Sequence, residues 1–153
     1  MYQLKFNDKS VKLFNKNFLN ANIRNVDLFI TSPPYNVGIN YDVYNDNLPY
    51  DKYLDFTKTY LKKCYDVSSK RSRICLNIPI TIGSNIKYPV YADIVKLAQN
   101  LGWKYYSTIV WYKKGVNIRT AFGSFMSANA PQVVLPYELI LILYNTLFSI
   151  RIM

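Results

Sequence analysis

Four short apolar runs constrain this chain more than any other feature. They read "VDLFIT" (Val26 to Thr31), "RICLNIPI" (Arg73 to Ile80), "YYSTIVWY" (Tyr105 to Tyr112) and "YELILILY" (Tyr137 to Tyr144). Each is short and rich in β-branched or aromatic residues, the composition of strands buried in a parallel sheet. Between the first two, Pro49 opens a helical stretch in which Leu54, Leu61 and Cys64 or Tyr65 recur on one face. Between the second and third, Val90, Ile94, Leu97 and Leu101 form the apolar stripe of another helix, and Gly102 stands where a helix end takes a left-handed residue. Strands alternating with helices predict an α/β fold on a mostly parallel sheet, with its sites at the carboxyl ends of the strands. The 153 residues suffice for one such domain with its own core.

The residue census excludes several chemistries. There is no histidine, which rules out His-based triads, imidazole proton shuttles and most zinc sites. Cys64 and Cys75 are isolated, and read as small core residues in a reducing cytoplasm. No run of about 18 or more uncharged apolar residues occurs. The nearest, Pro136 to Met153, is interrupted by Glu138 and Arg151, so no membrane span is expected. Half of the residues are hydrophobic and the net charge is +10, which describes a folded protein whose natural partner is a polyanion, most often nucleic acid. An A/T-rich coding sequence, which favours Lys, Asn, Ile, Tyr and Phe, would contribute to the same charge.

The first strand ends in "TSPPY". Two prolines lock their own torsions and hold the residues before them extended, so the Ser32 hydroxyl and the Pro33 carbonyl point in set directions. Tyr35 adds a flat face. Two acceptors beside an aromatic plate match an exocyclic amino group on a planar base. Such a nitrogen is a poor nucleophile because its lone pair is delocalised into the ring. Accepting both of its protons pulls it toward tetrahedral geometry and frees the lone pair for in-line attack on a methyl sulfonium. Stacking would contribute about 1–3 kcal/mol toward holding the extruded base, and alignment roughly 7–11 kcal/mol of the barrier. In the alternative reading, Pro-Pro merely ends a strand and Tyr35 packs; the placement after a buried strand and before a polar loop favours the first.

"VDLFITSPPYNVGINYD" resembles the catalytic motif of the amino-methylating DNA methyltransferases, in the circular order that places this motif first. The resemblance continues through "DNLPYDKYLDF", "RICLNIPI", "YPVYADIVKLAQNLGWKYYSTIVWYKK" and "AFGSFMSANAPQVVLPYELILILY". It implies a Rossmann-like, seven-stranded, mostly parallel sheet that binds S-adenosylmethionine and flips a base of double-stranded DNA into a pocket, within a bacterial, cytoplasmic restriction-modification system. Carried over, Ser32, Pro33, Pro34 and Tyr35 are catalytic, and Thr31, Ser32, Asn36 and Asn17 lie by the cofactor. Lys113, Lys114, Arg119, Phe122, Ser124, Phe125 and Ser127 face DNA or the target base. Ser at the first motif position is commoner in cytosine-N4 enzymes and Asp in adenine-N6 enzymes, so cytosine N4 is the expected target and adenine N6 the alternative. A further alternative is a basic nucleic-acid-binding fragment without activity. Asp42 and Asp46, in the loop after the motif, read equally well as functional or as solvated.

Two departures qualify the resemblance. "NKN" (Asn15 to Asn17) stands where relatives carry an acidic residue near the cofactor. The Phe-x-Gly-x-Gly loop that wraps the methionine end of the cofactor is missing, since no two of Gly38, Gly83, Gly102, Gly115 and Gly123 are separated by one residue. Beyond Tyr144 the text "NTLFSIRIM" no longer follows the family. The expectation is therefore an incomplete sheet: residues 1–144 form the catalytic half of a methyltransferase, and 145–153 an atypical, frameshifted tail. The chain is either truncated by a frameshift or split into two reading frames, in which case a second polypeptide would supply the other half, and S-adenosylmethionine binding by this chain alone would be weak or absent.

Overall fold

The computed structural model describes residues 2–41, 44–83, 86–114 and 135–146. It opens on a hairpin that sequence reading missed: β1 (Tyr2–Phe6) pairs antiparallel with β2 (Lys9–Leu13) across Asn7 and Asp8. Asn7 takes a φ of 51°, the left-handed geometry that asparagine tolerates and that tight hairpin loops need. A 3-10 turn, Phe18–Asn20, follows, capped by Asn17 Oδ1 accepting from the Leu19 N–H at 2.9 Å.

The next elements are β3 (Val26–Thr31), a small hairpin of β4 (Asn40–Tyr41) and β5 (Tyr44–Asn45), α1 (Tyr50–Val67) and β6 (Ser68–Ile78). After them come α2 (Val90–Asn100), β7 (Lys104–Tyr112) and β8 (Tyr137–Tyr144). β6 starts five residues earlier than its apolar text, directly where α1 ends. Of the segment "SSKRS", which carries no strand signal of its own, only Ser68 pairs with β3, and the register shifts before the pairing resumes at Arg73.

The main sheet has the order β3-β6-β8-β7. Three strands point the same way, as a mostly parallel sheet requires, but β8 lies between β6 and β7 and runs against both. Only β3 and β6 form a parallel pair among the described strands. An antiparallel neighbour needs no crossover, and β8 takes that route beside β7.

Period-two alternation decides the core. Ile74, Leu76 and Ile78 of β6 and Leu139, Leu141 and Leu143 of β8 share one buried face. Against it pack Tyr53, Tyr60, Leu61 and Cys64 of α1 and Val90, Ile94 and Ala98 of α2. Each such leucine, isoleucine or valine contributes about 1.5–3 kcal/mol by leaving water. Burial pushes the Cys64 thiol up to about 12, so it is inert packing. The opposite face is only half covered by described residues. On β7, Ile109, Val110 and Trp111 are exposed, so its apolar text did not signal burial on both faces. α2 ends as expected: the Gly102 N–H bonds Gln99 O, the Trp103 N–H bonds Ala98 O, and Gly102 has a φ of +100°, a Schellman close. No helix among the described residues is long and apolar enough to cross a membrane.

Candidate active site

The sheet brings four chain segments to one edge. Ser32 follows β3, Asn77 lies near the carboxyl end of β6, Lys113 follows β7, and Glu138 is the second residue of β8. Ladder register holds them there, with Thr31 opposite Leu76, Asn77 opposite Ile140 and Trp111 opposite Glu138.

At that edge Ser32 is exposed, Pro33 buried, and Pro34 and Tyr35 half-buried. Ser32 Oγ lies 2.8 Å from Tyr35 Oη, and the Tyr35 hydroxyl donates to Glu138 Oε2 at 3.1 Å. Asn77 Nδ2 donates to Tyr35 Oη at 2.8 Å and to Glu138 Oε2 at 2.6 Å. The Lys113 ammonium pairs with Glu138 Oε1. A continuous polar chain thus runs from Ser32 through Tyr35 and Glu138 to Lys113, braced by Asn77. Burial raises the Tyr35 phenol, the bond from Ser32 works against that, and the charge of Glu138 adds to it. Burial alone would raise the Glu138 carboxyl, but bonds from Lys113, Asn77 and Tyr35 outweigh it and hold it below its ordinary 4.5. Near neutrality Tyr35 keeps its proton and Glu138 its charge.

Sequence reasoning reached Ser32, Tyr35 and Lys113 but missed Asn77 and Glu138. The signal was present: Asn77 and Glu138 are polar residues inside apolar strands, and a half-buried polar group needs a partner. Lys113, expected to face DNA, pairs with Glu138, because the register sets its stem beside the start of β8. Lys114 is exposed. Arg119, Phe122, Ser124, Phe125 and Ser127, like Asp42, lie outside the described residues.

The residues expected at the cofactor do not surround one space. Asn17 and Thr31 line a cavity of about 470 Å³ beside β3, with Phe18, Leu28, Ile30 and Pro33. Asn36 lines a different one, of about 570 Å³, with Tyr50, Gly83 and Tyr88. Both ends of its amide are taken by Leu48, Nδ2 donating to the carbonyl at 2.8 Å and Oδ1 accepting the N–H at 2.7 Å. Asp46 is buried, and its carboxylate accepts the N–H groups of Asn36, Val37 and Ile39 at 2.8, 3.1 and 3.1 Å. Asn36 and Asp46 therefore shape the loop after the motif. No cluster of possible metal ligands occurs among the described residues.

An α/β sheet that presents a serine, a rigid Pro-Pro and a tethered tyrosine at its carboxyl edge defines the class of the amino-group methyltransferases. The DNA methylase family matches residues 26–148, and the chain belongs to it. It is 50% identical over 137 residues to the type II methyltransferase M.MjaVI of Methanocaldococcus jannaschii, covering 88% of this chain and 71% of that protein. It is 37% identical over 93 residues to the type II methyltransferase M.HpaI of Haemophilus parainfluenzae, covering 61% of this chain and 27% of the relative. TTHA0409, a Thermus thermophilus protein assigned as a DNA modification methylase, superposes with a TM-score of 0.60 at 19% identity. That match covers 83% of this chain and 49% of the other, so the chain spans about half of that protein's length. A complex of TTHA0409 with S-adenosyl-L-methionine superposes with a TM-score of 0.57. At this identity the likeness bears on the fold alone.

Proposed function

We propose that this chain carries the catalytic motif of a type II, S-adenosylmethionine-dependent DNA methyltransferase that modifies the exocyclic amino group of a flipped base, cytosine N4 in particular. The observation that carries the reading is Ser32, exposed at the carboxyl end of β3 with its hydroxyl tied to Tyr35 at 2.8 Å. Family membership and the type II relatives support the class; serine at the first motif position supports cytosine.

Ser32 Oγ and the Pro33 carbonyl accept the two protons of the amino group and draw its lone pair out of the ring. Tyr35, held by its hydroxyl, offers its ring as a plate for the base. S-adenosylmethionine, when bound, supplies an electrophilic methyl group on a sulfonium. Transfer of that methyl group to the amino nitrogen would leave the cofactor as a neutral thioether, and the nitrogen would shed one proton to water after Ser32 Oγ and the Pro33 carbonyl had oriented it.

The cavity beside β3 fits part of that cofactor. Its walls are apolar, Thr31 and Asn17 give it a polar rim, and it has no charged lining residue. These residues suit the neutral portion, with Thr31 and Asn17 as its polar partners. The charged amino-acid end needs partners from outside this cavity. β3 has room for such an addition: its outer edge is unpaired among the described strands, with Ile30 76% exposed.

The test uses methyl-labelled S-adenosylmethionine and mixed-sequence DNA, with and without the product of the neighbouring reading frame, followed by nucleoside analysis. N4-methylcytosine, abolished by Ser32→Ala, is the expected product. N6-methyladenine would move the target to adenine. Label that appears only with the second product would identify a split enzyme. Silence in both arms from a folded protein would refute the reading and leave a nucleic-acid-binding fragment.

A further inference from the structure

We infer that Glu138 sets the hydrogen-bond polarity of the Ser32–Tyr35 pair and thereby holds the serine hydroxyl as an acceptor toward the target amino group. The inference rests on the amino-methyltransferase reading above and concerns a positioning residue, since Glu138 acts through Tyr35.

Charge favours one assignment of protons: across the Ser32–Tyr35 contact either oxygen could donate, but Tyr35 gives its proton to the carboxylate in preference to the neutral Ser32 hydroxyl. A carboxylate only accepts and an amide NH2 only donates. Asn77 turns its NH2 toward Glu138 Oε2 and Tyr35 Oη, at 2.6 and 2.8 Å. It does so although its Oδ1 is left buried without a partner among the described residues, which marks the NH2 contacts as the ones that decide its orientation. Tyr35 has a single proton, and Glu138 Oε2, 3.1 Å away, can only receive it. The Tyr35 oxygen then has lone pairs for Asn77 and for Ser32, so across their 2.8 Å contact Ser32 is the donor.

The consequence falls on the catalytic serine. With its proton committed to Tyr35, Ser32 turns only lone pairs toward the base. A freely rotating hydroxyl would spend part of its time donating, the wrong polarity for an amino group that offers two protons and no available lone pair. Lys113, on the other carboxylate oxygen, completes the chain and keeps Glu138 acceptor-only.

Glu138→Gln tests this with little change of shape. The Lys113 ammonium then takes the carboxamide oxygen, and the carboxamide NH2 faces Tyr35 and displaces the Asn77 NH2 that met the same atom, so the tyrosine proton loses its carboxylate acceptor and is freed toward Ser32. In protein carrying 13C at tyrosine Cζ, the Tyr35 resonance, identified by its loss in Tyr35→Phe, should shift in Glu138→Gln. Its ionisation should move to lower pH because the carboxylate charge no longer opposes it. Methyl transfer should show kcat reduced about ten- to a hundredfold with KM for DNA unchanged. In a Tyr35→Phe background the same substitution should cause no further loss, because the chain is already cut.

A Tyr35 resonance that stays put, or a kcat loss that persists in full in the Tyr35→Phe background, would overturn the assignment. Full activity in Ser32→Ala would sink the amino-methyltransferase reading instead, and the Tyr35 resonance alone would then decide the polarity. Should Glu138→Gln not fold, acidifying the wild type through the Glu138 titration below 4.5 performs the same substitution reversibly. Beside Lys113, Tyr35 is the titratable group on that carboxylate, and its resonance must follow the titration or the assignment fails.

Discussion

Ser32 and Asp46 show how differently two polar residues of one loop region are used. Ser32 stays exposed, and under the proposed function its replacement by alanine removes an acceptor aimed at the reacting nitrogen. A loss in kcat of about 10²–10³ is expected in the labelled-methyl assay, on the scale of one preorganised hydrogen bond. Asp46 is buried under the N–H groups of Asn36, Val37 and Ile39. Asp46→Ala leaves three donors without their acceptor, and urea unfolding should record a loss of about 1–3 kcal/mol. Glu138 belongs to the same scale. Its folded carboxyl titrates below its ordinary 4.5, so its ionised form stabilises the fold. That contribution is complete above the ordinary value and disappears as pH falls through the lower, folded one. Urea midpoints followed from pH 7 to pH 3 should therefore fall more steeply for wild type than for Glu138→Gln.

Among the elements, the end of α2 is the most sharply specified. Gly102 has a φ of +100°, and a Cβ there would stand 2.8 Å from the Tyr65 hydroxyl. Gly102→Ala should lower stability by about 1–2 kcal/mol, read as a reduced Tm, through left-handed strain and that clash together. The next residue, Trp103, is buried, donates Nε1–H to Leu61 O at 3.2 Å and meets Tyr65 edge-on at 5.4 Å. Trp103→Ala should cost about 3–5 kcal/mol, the larger of the two because it opens a cavity where α1 and α2 meet. Helix text was legible here because an apolar stripe and a closing glycine are both local signals. The stripe of α1 was less so: Tyr53, Thr57 and Tyr60 are buried, and Leu54, an expected member, is only half-buried. Aromatic rings carry more apolar area than their hydroxyls suggest, so a leucine count misplaced the face.

For the whole molecule, protection against hydrogen exchange should follow the sheet. β6 and β8 are paired on both sides and carry the core, so their amides should exchange slowest. β2, exposed along its length and paired among the described strands only with β1, should exchange among the fastest. The amino-acid order was enough to mark the four strands of the main sheet and both α-helices, with β6 short by five residues at its start, and the family to which the chain belongs. These depend on torsions, periodicity and neighbouring residues, and such properties are written locally. The antiparallel placement of β8 between β6 and β7 emerged only when the strands were packed together. That one placement sets Glu138 against Tyr35, Asn77 and Lys113. Strand order is a contest among pairings of segments far apart in the chain, and the apolar text of each strand suits several neighbours equally well.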